Sequence, residues 1–162
     1  MAKQQQADWD PQATAAVNAR RRLPGIVATY FAEAREILAD IERRTAAKKR
    51  WSPERLHRLR LISKRLRYTL ELFRPCYSTG LDIRLAELKR LQDVLGEIND
   101  AATSAALIRK VTGSDRMLRY LEQRTAQKMA EFRRAWKEFD APGSEERWLR
   151  YLARGAREGV KQ

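Results

Sequence analysis

From Ile26 to Ile41 an apolar side chain returns to one side of the chain at every turn: Ile26, Tyr30, Ala34, Ile37 and Ile41, with Val27, Phe31 and Leu38 beside them. A run that keeps this phase over about five turns is an amphipathic α-helix, because a strand alternates with period two and would put half of these residues in water. The same period returns three more times. Ser52-Pro53-Glu54 supplies an N-cap, a proline at the first helical position and a carboxylate at the positive end of the helix dipole, and Pro75 closes the helix expected over 53–74. "CYSTGLD" reads as a loop broken at Gly80, ahead of a helix from about Leu81 to Lys110. Gly113-Ser114-Asp115 ends that helix and caps the next, which runs to about Phe139. Two shorter helices flank these four. One is capped by Asp10, starts at Pro11 and ends at Leu23-Pro24-Gly25; the other covers about 145–158, after "DAPGSEE".

Short connections favour antiparallel neighbours, so the expected fold is all-α, a four-helix bundle with short flanking helices at both ends. Seven glycines and five prolines in 162 residues suit long helices better than a turn-rich β-protein. Residues 11–162 are expected to form one helical domain with its motif core at 52–110, preceded by a polar, flexible stretch at 1–10.

The chain carries a formal charge of +13. Self-repulsion on that scale calls for an anionic partner: nucleic acid, an anionic membrane surface or a phosphate polymer. One cysteine excludes a disulfide within the chain, and one cysteine with one histidine excludes a His/Cys zinc cage. Cys76 is expected as a small buried hydrophobe. "MAKQQQADWD" has no apolar signal region, and no apolar run approaches the roughly 20 residues of a membrane span. A soluble cytoplasmic protein without membrane, metal or cofactor is the expectation.

At 100° per residue, Leu56, Leu59, Ile62, Leu66, Leu70 and Phe73 share one arc of the 53–74 helix, and His57, Arg60, Lys64, Arg67 and Glu71 share the opposite one. Cations at i, i+3, i+4 and i+7 repel by a few tenths of a kcal/mol per pair, and Glu71 is the only carboxylate among them. The next helix repeats the arrangement. Lys89, Gln92, Asp93, Gly96, Asn99 and Asp100 lie on one side, with Leu88, Leu91, Leu95 and Ile98 turned the other way. If the two helices are neighbours, their polar stripes flank one groove, and Gly96 leaves room for a ligand or another helix. Arginine forks and lysine ammonium groups at one-turn spacing match successive phosphoryl oxygens. A merely solvated face produces the same stripe. His57 is either an ordinary surface histidine or a phosphate contact, and Tyr68 beside the stripe either a half-buried aromatic or a group that orients an arginine or donates to phosphate.

The segment "HRLRLISKRLRYTLELF" (57–73), followed by "LKRLQDVLGEIND" (88–100), resembles the conserved histidine α-helical domain, CHAD, and in particular its C-terminal half. The resemblance rests on the joint occurrence of His57, Arg60, Lys64, Arg65, Arg67, Tyr68 and Glu71 with Lys89, Gln92, Leu95-Gly96 and Asn99-Asp100. It implies a non-enzymatic helical module whose basic surface binds inorganic polyphosphate, with polyphosphate granules as a place of association. His57, Arg60, Lys64, Arg65, Arg67 and Lys89 would be the ligand contacts; Tyr68, Gln92 and Asn99 would support the site, and Glu71 and Asp100 would anchor basic side chains. The family's usual domain holds two related halves, whereas this chain has one His-x-x-Arg segment, so the resemblance implies a homodimer. No short strands carrying Glu-x-Glu, the mark of the triphosphate-tunnel module that accompanies many members, occur in it.

Two other readings stand beside this one. A basic helical nucleic-acid-binding protein fits the pI near 10.5, but the motif helix lacks a helix-turn-helix setting and the chain lacks an aromatic stacking cluster. A hydrolase would need Glu71, Asp93 and Asp100 to hold Mg²⁺, and neither stripe pairs carboxylates at i, i+3 or i, i+4.

Overall fold

The computed structural model describes residues 9–47, 52–111 and 114–158. Five α-helices account for nearly all of them: α1 (Ala15–Ala46), α2 (Pro53–Leu72), α3 (Thr79–Val111), α4 (Asp115–Phe139) and α5 (Ser144–Gly155), with a 3-10 turn at Arg74–Cys76 between α2 and α3. The all-α expectation holds, and the interhelical contacts fix the order. Arg55–Asp40 and Arg58–Glu33 run α2 antiparallel to α1. Arg74–Asp82 and the Gln92 amide on the Ser63 carbonyl do the same for α3 against α2. Arg109–Glu122, Lys128–Glu97 and Arg90–Glu138 set α4 antiparallel to α3, and Arg133–Glu42 and Arg35–Asp140 close the ring back onto α1.

The core is one continuous cluster. Phe31 stacks on Phe139 at 5.1 Å, and Tyr30, Trp136 and Trp148 meet the same group edge-on or tilted. The residues placed inside on α2 and α3 by their periodicity are buried, except that Phe73 is only partly covered and packs against Trp9. Beneath α2 lies a buried polar chain. Ser63 Oγ donates to the Leu59 carbonyl and meets Tyr30 Oη at 3.1 Å, while Gln92 Nε2 donates to the Ser63 carbonyl at 2.7 Å. Every link is satisfied within the fold, so this chain fixes the mutual register of α1, α2 and α3.

Three expectations need correction. The short helix ending at Leu23-Pro24-Gly25 does not exist: α1 runs through Pro24 as one helix of 32 residues. A proline removes one backbone bond and disfavours helix at the residue before it. Here Ala16, Ala19, Leu23, Val27 and Tyr30 are all buried, so the apolar stripe stays in phase across the proline, and α5 packs along this half of α1. Asp10 is not the cap. Thr14 holds that position and accepts from the Val17 amide, while Asp10 accepts from the Gln12 amide and exchanges bonds with the fully buried Asn18. Gly80 is not a breaker either, since α3 begins at Thr79. A Cβ on Gly80 would lie 2.8 Å from Tyr151 Cε2, so its glycine is needed for the close approach of the α5 tyrosine.

Of the stretch at 1–10 expected to be flexible, 1–8 lie outside the described residues, while Trp9 packs on Phe73 and Asp10 bonds to Asn18; the expected capping role of Gly113 falls on 112–113, also outside them. Cys76 is free and half-buried against the core, where burial pushes its thiol pKa up. No described helix is long and apolar enough to cross a membrane.

Candidate functional site

The antiparallel pairing set by Ser63–Gln92 and Arg74–Asp82 puts His57 level with Asn99, Arg60 with Gly96 and Arg67 with Lys89. The two polar stripes therefore border the same seam. Towards its C-terminal end α2 parts from α3 to leave a groove of about 430 Å³, lined by Arg67, Glu71, Arg74, Asp82, Leu85, Ala86 and Lys89. Arg74 was missed by sequence reasoning. It continues the seven-residue spacing of Arg60 and Arg67, but it precedes Pro75 and was read as the helix end.

The cations fall into two groups by their partners. At the groove each is already engaged: Arg67 Nε stands 3.2 Å from Glu71, Arg74 Nε 2.8 Å from Asp82 and Lys89 Nζ 2.7 Å from Asp93. Nearer the start of α2, His57, Arg60 and Lys64 have no carboxylate partner among the described residues, and Arg65 has none either. The contrast on this one helix is informative, because Arg55 and Arg58, which face α1, are both ion-paired. The positive end of the α2 dipole adds to the unpaired group within its first turns.

Tyr68 is half exposed and takes the orienting position. Its ring lies 4.9 Å from the Arg67 guanidinium and 5.8 Å from Lys64 Nζ, which keeps both cations against the helix surface. Arg67 Nε is buried and has no hydrogen bond, because the nearby Glu71 oxygen lies off the N–H direction.

Other expected site residues sit elsewhere. Gln92 is buried and holds α2 to α3, so it forms the floor of the seam and not part of its polar rim. Arg65 points away from the groove and lines a cavity of about 190 Å³ between α1 and α2, with Glu33, Thr29 and Thr69. Asp100 is exposed and engages no basic side chain among the described residues; the carboxylates that stand beside site cations are Glu71, Asp82 and Asp93. Asn99 is partly exposed at the level of His57. A Cβ on Gly96 would meet nothing within 4 Å, so no helix of this chain presses on it and the space opposite Arg60 is open. Among the described residues, no group of three or more His, Cys, Asp or Glu side chains is placed to hold a metal ion.

A family model of the CHAD domain matches residues 2–109, two thirds of the chain. The chain belongs to the CHAD-domain family. The matched span takes in α1, α2 and most of α3, and hence both stripes of this CHAD domain, while α4 and α5 lie beyond it. No curated protein and no solved structure matches the chain.

Proposed function

We propose that this CHAD domain is a non-enzymatic module that binds inorganic polyphosphate along the α2 stripe and the α2–α3 seam. The observation that carries the reading is the division of cations along α2: Arg55 and Arg58 are paired with carboxylates of α1, whereas His57, Arg60 and Lys64 have no carboxylate partner among the described residues. Like charges held at one-turn spacing repel one another in the free protein, and a chain of phosphates relieves all of these repulsions together. Arg67, Arg74 and Lys89 extend the track, exchanging carboxylates for phosphoryl oxygens. The functional unit on this reading is a homodimer, in which a second chain supplies the half that the usual domain carries in one polypeptide, and polyphosphate granules are its place of association.

Arg60→Ala/Arg67→Ala should weaken binding of long-chain polyphosphate and flatten its salt dependence by about 0.7 in the slope of log K against log salt, the share of unpaired Arg60, since Glu71 already balances Arg67 in the free protein. Unchanged affinity would remove the site. Competition between polyphosphate and duplex DNA at physiological salt separates this reading from nucleic-acid binding. Incubation with polyphosphate and Mg²⁺ or Mn²⁺ should release no orthophosphate.

A further inference from the structure

The outer face of α2 carries a second stripe, this one apolar. Leu61, Tyr68 and Leu72 are 47%, 48% and 80% exposed, three large side chains uncovered on one helix face. They fall within about 40° of arc, about 80° round the helix from the centre of the cationic stripe. Arg65, also exposed, completes the spacing 61, 65, 68, 72, which repeats as i, i+4, i+7, i+11 along one edge.

This edge is self-complementary when turned end for end. With a two-fold axis crossing α2 between residues 66 and 67, Leu61 meets Leu72 of a second copy, and Arg65 meets the second copy's Tyr68, a guanidinium against an aromatic ring. At the margin, Lys64 of one chain comes within reach of Glu71 of the other. A parallel pairing instead sets Arg65 against Arg65. Resting on the polyphosphate reading above, we propose that the Leu61–Leu72 edge of α2 is the seam on which two copies of this chain pair antiparallel, completing one polyanion site across both.

The geometry of a two-fold axis gives the consequence for the site. In an antiparallel pair the axis is perpendicular to both helices, so a stripe displaced to one side of the seam in one chain is displaced to the same side in the other. Both rows of Arg60, Lys64 and Arg67 then face one way as a single basic surface, with an α2–α3 groove on each flank. Two chains of charge +13 resist being brought together in this way, and one helix-to-helix seam is small beside the roughly 1,200–2,000 Å² of a stable interface. Pairing is therefore weak at low salt and strengthens when the charge is screened or neutralised by a polyanion.

Sedimentation or light scattering of the full chain without polyphosphate tests the seam independently of the ligand. The mass should move from that of one 18.9 kDa chain at about 0.05 M salt towards twice that value at about 1 M, where the Debye length falls to about 3 Å. Leu61→Gln/Leu72→Gln should stay monomeric at both salts, with an unchanged circular dichroism spectrum and retained, though weaker, polyphosphate binding. The register has its own test in a Cys76→Ala background: Leu61→Cys/Leu72→Cys should give an interchain disulfide on mild oxidation, and neither single cysteine variant should. A wild-type chain that remains monomeric at high salt, or single variants that cross-link as readily as the double, would overturn the proposal. Loss of polyphosphate binding with the dimer intact would instead overturn the ligand reading alone.

Discussion

Glu71→Gln should tighten polyanion binding, even though Glu71 belongs to the site. In the free protein Glu71 Oε1 lies 3.2 Å from Arg67 Nε one turn away, and the pair cancels charge at the mouth of the groove. Two effects compete when the carboxylate is neutralised. Losing an exposed i, i+4 pair loosens Arg67, at a cost of about 0.3–0.5 kcal/mol. Losing a negative charge about 6 Å from a bound phosphate removes a repulsion of about 0.7 kcal/mol at the dielectric of water and about 3 kcal/mol at an effective value of 20. Because the Glu71 side chain is 45% exposed, the lower figure applies. Repulsion still wins by a few tenths of a kcal/mol, so affinity should rise about two-fold. The salt dependence is the sharper readout. Once unpaired, Arg67 contributes one more condensed counterion to be released, so the slope of log K against log salt should steepen by about 0.7. Fluorescence anisotropy of end-labelled polyphosphate, titrated between about 50 and 200 mM salt, measures both quantities. Weaker binding with an unchanged slope would refute the reasoning, because Glu71 would then be holding Arg67 in the pose that the ligand needs.

The two helical glycines should respond in opposite ways. Gly80→Ala drives a methyl against the Tyr151 ring, so overpacking of about 1–3 kcal/mol outweighs a helix-propensity gain of up to about 1, and the melting temperature should fall. Gly96→Ala adds a methyl to open space and should raise stability by up to about 1 kcal/mol, or about 2–4 °C, while lowering polyphosphate affinity by filling the space opposite Arg60. Burial pushes the Tyr30 phenol from 10.0 up to about 12, against a smaller opposing effect of its bond to Ser63. A raised folded-state pKa means that this contribution is whole below pH 10 and is lost as pH climbs through 12; urea midpoints should drop across that window, by less in Tyr30→Phe.

How far the sequence could be read depended on whether the deciding interaction was local. The buried faces of α2 and α3, the Ser52–Pro53 start of α2 and the span of α4 all follow from spacing along one helix, and each appears where periodicity puts it. Pro24 and Gly80 misled because what overrides them comes from far away in the chain. Both are passed through by a helix onto which α5 packs, and α5 lies more than sixty residues from either. The site divides in the same way. Rows of like charge are visible on a helical wheel, but which members are ion-paired depends on the neighbouring helix: Arg55 and Arg58 find Asp40 and Glu33 on α1, and Arg60 finds no carboxylate among the described residues. Gln92 looked like part of a polar stripe because a wheel records direction and not depth. Its amide turns into the seam to reach the Ser63 carbonyl.

Thr14 Oγ1 donates to Glu158 at 2.9 Å, and Arg20 reaches the Ala156 carbonyl at 2.7 Å, so the first turn of α1 and the residues after α5 meet at one end of the bundle. The path of the described helices thus returns close to where it begins. A short Gly/Ser bridge across that junction, with the chain reopened between α1 and α2, would make a permutant with the same helices and both new ends beside His57. Reporters attached there would sit beside the start of the cationic track, about 30 Å along α1 from the Thr14–Glu158 junction.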